Sequence, residues 1–154
     1  MTVQSPTVRR GWYGTFDLSS RRTFAFFTEE SLRFADLDHN GHVNNVAFTI
    51  FFENSRVRFL TEVLPLPRNE GTSFVLAHLS IDYRAQLYYP GRVSAATRVV
   101  EVRNSSVVLA QAIFRGDEAV ASGHAIMVVI DRASGRGIPI PSALRGSIEQ
   151  LRAQ

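Results

Sequence analysis

Residues 46–64 run for nineteen positions without a glycine or a proline, between a polar loop and the stop Pro65-Leu66-Pro67. As a helix this segment is about 30 Å long. Its apolar residues (Val46, Phe48, Ile50, Phe51, Phe52, Val57, Phe59, Leu60, Val63, Leu64) nearly encircle the first half, while Arg56, Arg58 and Glu62 mark a wetter side later. A helix apolar most of the way round has to be buried, so the rest of the chain must supply a layer that wraps it. Glu53, directly after Phe51-Phe52, is the exception on that surface. Asn44 or Asn45 supplies the N-cap.

The wrapping layer reads as strands. Residues 23–35 have the aromatic and β-branched character of a first strand. Residues 74–84 alternate, with Val75, Ala77, Leu79, Ile81 and Tyr83 on one side and His78, Ser80, Asp82 and Arg84 on the other. Tyr89-Pro90-Gly91 makes a turn, and strands follow at 93–103, 107–115 and 119–130, joined by Asn104-Ser105 and Gly116-Asp117. Four successive strands with short connections predict an antiparallel meander. Ser142 is placed to cap a short final helix carrying Leu144, Ile148 and Leu151. The expectation is an α+β chain: a long central helix wrapped by a curved antiparallel sheet of about five strands. Residues 1–22 form an N-terminal extension and 23–154 one domain.

Composition narrows the chemistry. The 154 residues include no cysteine, which excludes disulfides, iron–sulfur clusters, thiolate zinc sites and a cysteine nucleophile. All 17 basic residues are arginine, and against 14 acidic ones they leave a net charge of +3. Arginine stays protonated far above neutral pH, so the pI of about 9.9 overstates how basic the chain is. Without lysine there is no Schiff-base chemistry and no P-loop. The arginines form no stripe of the kind that reads nucleic acid. No stretch approaches the roughly 20 apolar residues of a membrane span. The Arg21-Arg22 pair is followed by too short an apolar run for an export signal, so a cytoplasmic location is expected. What remains is four histidines, carboxylates, hydroxyls and backbone dipoles.

The loop Asp36-Leu37-Asp38-His39-Asn40-Gly41-His42-Val43-Asn44-Asn45 is far more polar than turning a corner requires. Asp36, Asp38, Asn40, Gly41 and Val43 fall in register with a calcium-binding EF-hand loop. Its closing position, however, is Ala47 instead of a bidentate glutamate, and there is no second copy to pair with. No His/Asp spacing elsewhere resembles a metal site, so neither metal nor cofactor is expected.

The strings Arg33-Phe34-Ala35-Asp36-Leu37-Asp38, Gly41-His42-Val43-Asn44-Asn45 and Phe51-Phe52-Glu53-Asn54-Ser55-Arg56 together closely resemble hotdog-fold thioesterases. The likeness is to the 4-hydroxybenzoyl-CoA thioesterase group and to the related plant acyl-carrier-protein thioesterases, which share the pattern Asp-x-Asn-x-His-Val-Asn-Asn. It continues through Ile81-Asp82-Tyr83, Tyr89-Pro90-Gly91 and Ile138-Pro139-Ile140-Pro141. The resemblance implies hydrolysis of an acyl-CoA or acyl-carrier-protein thioester. Asp38 would act as nucleophile or as general base, and an amide near Asn45, at the helix start, as donor to the thioester oxygen. Asn40 would hold the carboxylate or a water, and His42 would position substrate or move a proton. Glu53 matches a recurrent family glutamate and is a further catalytic candidate. The cysteine of the plant enzymes has no counterpart here.

Other readings of these residues stay open. Asp36 serves equally as a partner for Arg33, Asn44 as the cap and Glu53 as a partner for Arg56, while His39, His78 and His124 read as ordinary polar residues. Arg56, Arg84 and Arg92 are the candidate forks for CoA phosphates. An exposed sheet edge and the family's habit imply a homodimer or homotetramer. Two alternative functions remain. An (R)-specific enoyl-thioester hydratase would place its Asp and His one residue further apart than Asp38-x-Asn40-x-His42. A non-catalytic acyl-CoA-binding module would keep the fold without turnover.

Overall fold

The Asn44 side-chain oxygen accepts the Val46 N–H at 2.9 Å and opens the long helix α1, Asn45–Arg58. Such a cap satisfies one of the donors that every helix start leaves over. These elements come from a computed structural model that describes residues 16–64 and 71–153. The stop at 65–67 and most of the 1–22 extension lie outside the described residues. Beyond Arg58 the helix widens into a π-type turn, Phe59–Val63, and the Leu64 N–H reaches back to the Phe59 carbonyl at 3.3 Å.

Five antiparallel strands wrap α1: β1 (Phe26–Ser31), β2 (Thr72–Tyr83), β3 (Arg92–Val102), β4 (Ser106–Arg115) and β5 (Glu118–Asp131), in the order β1-β3-β4-β5-β2. A second helix, α2 (Ser142–Arg152), buries Leu144 and Ile148 beside the far end of α1. Phe48, Phe51, Phe52, Phe59 and Leu60 press into the concave face, each no more than 6% exposed. Fully burying one such side chain stabilises by about 1.5–3 kcal/mol.

Four expectations need correction. The last four strands are not one meander: β3, β4 and β5 are, but β2 pairs with β5 at the far edge. The chain leaving β2 has to cross from one side of the sheet to β3, and on the way it meets the loop ahead of α1, where the Leu87 carbonyl takes the Val43 N–H at 2.8 Å. Second, the alternation of β2 is broken by a register shift between Leu76 and His78. Phe74, Leu79 and Ile81 pack on the core, whereas Val75 and Ala77 are exposed. Third, the cap of α2 is Pro141 and Ser142 is the first helical residue. Fourth, the sheet reaches only one side of α1. Val46 (64%), Ile50 (38%) and Val57 (50%) are exposed, and Glu53 lies among them. Spacings of four, three and four residues put all of them on one helix face.

Beneath the middle of α1 runs a polar seam. The Arg56 guanidinium donates to Gln111 Oε1 at 3.0 Å, and Gln111 Nε2 donates to the Phe52 carbonyl (3.0 Å) and Thr97 Oγ1 (2.9 Å). Ser55 Oγ gives its proton to the Ala95 carbonyl at 3.2 Å, so across the 2.8 Å Thr97–Ser55 contact the donor is Thr97. This chain fixes the register of the helix on the sheet. The convex face is covered by residues 16–25: Phe24 packs on Phe114, and Arg98 and Arg21 stack over Phe16 and Phe27 at 3.9 and 4.5 Å.

Candidate active site

The loop ahead of α1 is tied at both ends. Arg33 grips Asp36 with its backbone N–H (2.8 Å), Nε (3.0 Å) and Nη2 (2.6 Å), around the short 3₁₀ turn Phe34–Asp36. Burial works to raise the Asp36 pKa, but the hydrogen bonds and charge of Arg33 outweigh it and hold the carboxyl below its ordinary value. At the other end the Asn44 N–H returns to the Asp36 carbonyl at 2.8 Å, and Leu37 and Val43 form an isolated bridge.

Asp38 stands inside this closure. Its backbone N–H donates to the His42 carbonyl at 2.9 Å, and its own carbonyl accepts Gly41 N–H at 3.1 Å. Gly41, at φ 78°, takes a left-handed turn that suits glycine. The Asp38 carboxylate receives the Asn40 backbone N–H on Oδ1 at 2.8 Å, and its Oδ2 lies 3.4 Å from His42 Nδ1. Both side chains are about one-fifth exposed, 20% for Asp38 and 24% for His42. The His42 ring stands edge-on to Tyr88 at 6.3 Å, and the Tyr88 hydroxyl donates to Gln86 Oε1 at 2.6 Å. The first turn of α1 follows directly. Asn44 takes the Val46 N–H with its side chain and the Ala47 N–H with its carbonyl, both at 2.9 Å, and the Asn45 N–H lies outside that pairing. A carboxylate about one-fifth exposed, an imidazole and a helix-start donor thus share one loop.

The structure therefore brings Asp38, His42 and Asn45 into one loop and helix start, with Asn40 contributing through its backbone while its side chain is exposed. Glu53 is eight residues along α1 from Asn45, about 12 Å up the axis, on the exposed face. Arg56 is corrected: at 4% exposure its guanidinium sits under the helix on Gln111, so it offers no fork to a phosphate. Desolvation pulls its pKa down, and Glu53 acts in the opposite sense through its charge. Arg84 spends Nε and Nη2 on Ser122 Oγ at 3.1 and 3.0 Å. Arg92 is exposed at the start of β3, opposite Ser31. Asp36 is held by Arg33, so the two loop aspartates do not converge as an EF-hand requires. Among the described residues no group of three or more His, Cys, Asp or Glu is arranged to hold a metal ion.

Sequence reasoning missed the aromatic rim. Tyr88 and Tyr89 read only as a turn, yet they stand 54% and 46% exposed beside the loop, with Phe34 at 75%. Their signal was two tyrosines directly before Pro90-Gly91, in a segment that does not alternate. A separate cavity of about 120 Å³ lies at the other end of α1, lined by Phe26, Phe59, Val63, Thr97 and Leu151 among others.

A long helix wrapped by a curved antiparallel sheet is the hotdog fold, and here an aspartate-bearing loop leads into the helix start. The chain belongs to the thioesterase-like superfamily, whose family model matches residues 32–148. It is 28% identical over 122 residues to the uncharacterised protein YsmA of Bacillus subtilis, covering 77% of this chain and 81% of that one. Among solved structures, the PA5185 protein of Pseudomonas aeruginosa is 32% identical with a TM-score of 0.78, covering 86% of this chain and 95% of its own. A thioesterase of Thermus thermophilus, complexed with coenzyme A and zinc, is 30% identical with a TM-score of 0.75 and coverage of 85% and 96%. No helix among the described residues is long and apolar enough to cross a membrane.

Proposed function

We propose that the protein hydrolyses acyl-CoA thioesters, with Asp38 as the reacting carboxylate. The observation that carries this is the placement of the Asp38 carboxylate, held by Asn40 N–H and facing His42, in the loop that ends at the first N–H of α1. The thioester carbonyl oxygen takes the Asn45 N–H, where the positive end of the helix favours developing negative charge. In the nucleophilic route an Asp38 oxygen bonds to the carbonyl carbon, the C–S bond breaks and the thiolate leaves, taking a proton from His42 or water. Water then opens the mixed anhydride. In the general-base route Asp38 takes a proton from a water that attacks the same carbon. The Thermus thermophilus thioesterase that this chain resembles is complexed with coenzyme A, which favours CoA over a carrier protein as the thiol.

The working unit is a homodimer or a homotetramer. β2 is a twelve-residue edge strand paired on one side only, with Val75, Leu76 and Tyr83 39–46% exposed. Such an edge is a template for a second copy. Light scattering should give at least a dimer at micromolar concentration, and monomer alone would contradict it.

The test of the activity is a panel of acyl-CoAs read with a thiol dye, for wild type, Asp38→Ala and Asp38→Asn. Thiol release by wild type and its loss in both variants is expected. Full activity in both variants, hydration of an enoyl-CoA without thiol release, or tight binding without turnover would each overturn the assignment. In a single turnover in ¹⁸O-water, label in Asp38 identifies the nucleophilic route, because water oxygen enters that side chain only when a mixed anhydride is opened at the Asp38 carbon.

A further inference from the structure

We propose that Phe34, Tyr89 and Arg92 form a seat for the adenine-nucleotide end of coenzyme A, which deepens and rests on the acyl-CoA reading above. Phe34 is the most exposed large apolar side chain among the described residues, at 75%, and its ring meets Tyr89, 46% exposed, edge-on at 6.0 Å and 81°. Two neighbouring rings held in water are costly in apolar area and need a reason.

The rings do not sit on slack chain. Phe34 opens the 3₁₀ turn that Arg33 and Asp36 clamp, and Tyr89 belongs to the segment that meets it, where the Leu32 N–H donates to the Gly91 carbonyl at 2.9 Å. The junction is tight enough that a β-carbon on Gly91 would come within 3.3 Å of Leu32 Cδ1 and 3.4 Å of the Tyr88 carbonyl oxygen. A side chain there would make the Leu32 side chain give way by a few tenths of an ångström.

Charge selects the occupant. Of the arginines around this junction, Arg33 is neutralised by Asp36, Arg84 is held on Ser122 and Arg115 pairs with Glu118. Arg92, next to Gly91 and opposite Ser31, is exposed and has no ion-pair or side-chain hydrogen-bond partner among the described residues. An aromatic face with one open guanidinium suits a purine and its phosphates: the base stacks, and the fork takes phosphate oxygens. Docking an acidic carrier protein would call for several open cations, and this rim offers one. The seat is four residues upstream of Asp38, so the pantetheine arm would run inward from the rim to the carboxylate.

The test compares an acyl-CoA with the same acyl group on pantetheine, in wild type, Phe34→Ala, Tyr89→Ala, Arg92→Gln and Phe34→Trp. Stacking a base on a ring is worth about tenfold to hundredfold in affinity. The kcat/KM preference for the CoA thioester should therefore shrink by on the order of tenfold in the first three variants and survive in Phe34→Trp. Adenosine 3′,5′-bisphosphate should bind Asp38→Asn protein by calorimetry and bind correspondingly weaker when the seat is also mutated. An unchanged preference in all three variants overturns the proposal. So does dissociation of the oligomer in the ring variants, which would make the rings a subunit contact, or faster turnover of an acyl-carrier protein that alone responds to them. If wild type cleaves neither thioester, the hydrolase reading fails instead, and bisphosphate binding still decides the seat.

Discussion

Two polar regions touch α1, and they are finished differently. Under its middle, hydrogen bonds pass from Arg56 through Gln111 and Thr97 to Ser55 and the Ala95 carbonyl, in a place where Gln111 and Ser55 have no exposure at all. At its start, the loop closes Asp36 in the same thorough manner but leaves Asp38 with one backbone hydrogen bond and a histidine at 3.4 Å. Closure costs reactivity: a carboxylate held by three arginine contacts has little left with which to bond a carbon or accept a proton. The two aspartates share a residue type and lie two positions apart, so partnering alone separates structure from chemistry. The seam and Asp36 hold the frame, and Asp38 is what the frame presents.

The largest effect is expected at Asp38. Asp38→Asn should cost about 10²–10⁴ in kcat/KM while thermal unfolding moves little, because the amide loses the charge and keeps the shape. A large loss of stability with it would place Asp38 with the closed group. Arg56→Ala is the opposite case. It leaves Gln111 Oε1 without its donor and opens space under the helix, at about 2–3 kcal/mol of stability, or very roughly 5–10 °C in Tm. Arg56→Met keeps the stem and removes a desolvated charge, and should cost clearly less. Calorimetric unfolding of both variants decides it; equal losses would mean that the charge itself is needed, which the seam does not call for.

How much of this was legible follows from the same distinction. The helix start, the Arg33–Asp36 knot and the Asn44 cap are local, within three residues, and short patterns carry them. The course of β2 was not legible, because nothing in residues 72–83 encodes that the strand pairs with β5 at the far edge of the sheet. Nor was the β2 register shift, which puts Val75 on the exposed side. Arg56 misled because a cation late in an amphipathic segment reads as wet; its partner Gln111 is 55 residues away. The aromatic rim was missed because Tyr89 read as part of a turn and Phe34 as part of a first strand, and only the topology brings the two together. The preference for Asp38 over Asp36 as the reacting carboxylate rests on the motif, since spacing alone does not separate the two.

Asp36 supplies the next smaller effect, and its sign can be worked out. Its folded pKa lies below the ordinary carboxylate value near 3.9, so the unfolded chain binds its proton first as pH falls. The stability it contributes is complete above the unfolded pKa and is lost as pH falls through the folded one. Asp36→Asn should remove about 1–3 kcal/mol at pH 7 and flatten the acid limb of the stability curve below about pH 4. Unfolding in urea from pH 7 to pH 3 tests this; an acid limb as steep in the variant as in wild type would show that Asp36 is not the titrating support.

The smallest effect is expected at Asn40. Asp38 is held by the backbone of Asn40, and the Asn40 side chain is exposed. Any residue with an N–H supplies that bond. Asn40→Ala should therefore lower kcat/KM by less than tenfold, under about 1.4 kcal/mol of barrier, while Asp38→Asn loses far more. A fall in Asn40→Ala as steep as in Asp38→Asn would mean that the amide side chain turns inward on substrate binding to hold the attacking water. The open half of the loop would then contain two reacting-site side chains, and the general-base route would gain the partner that the nucleophilic route does not need.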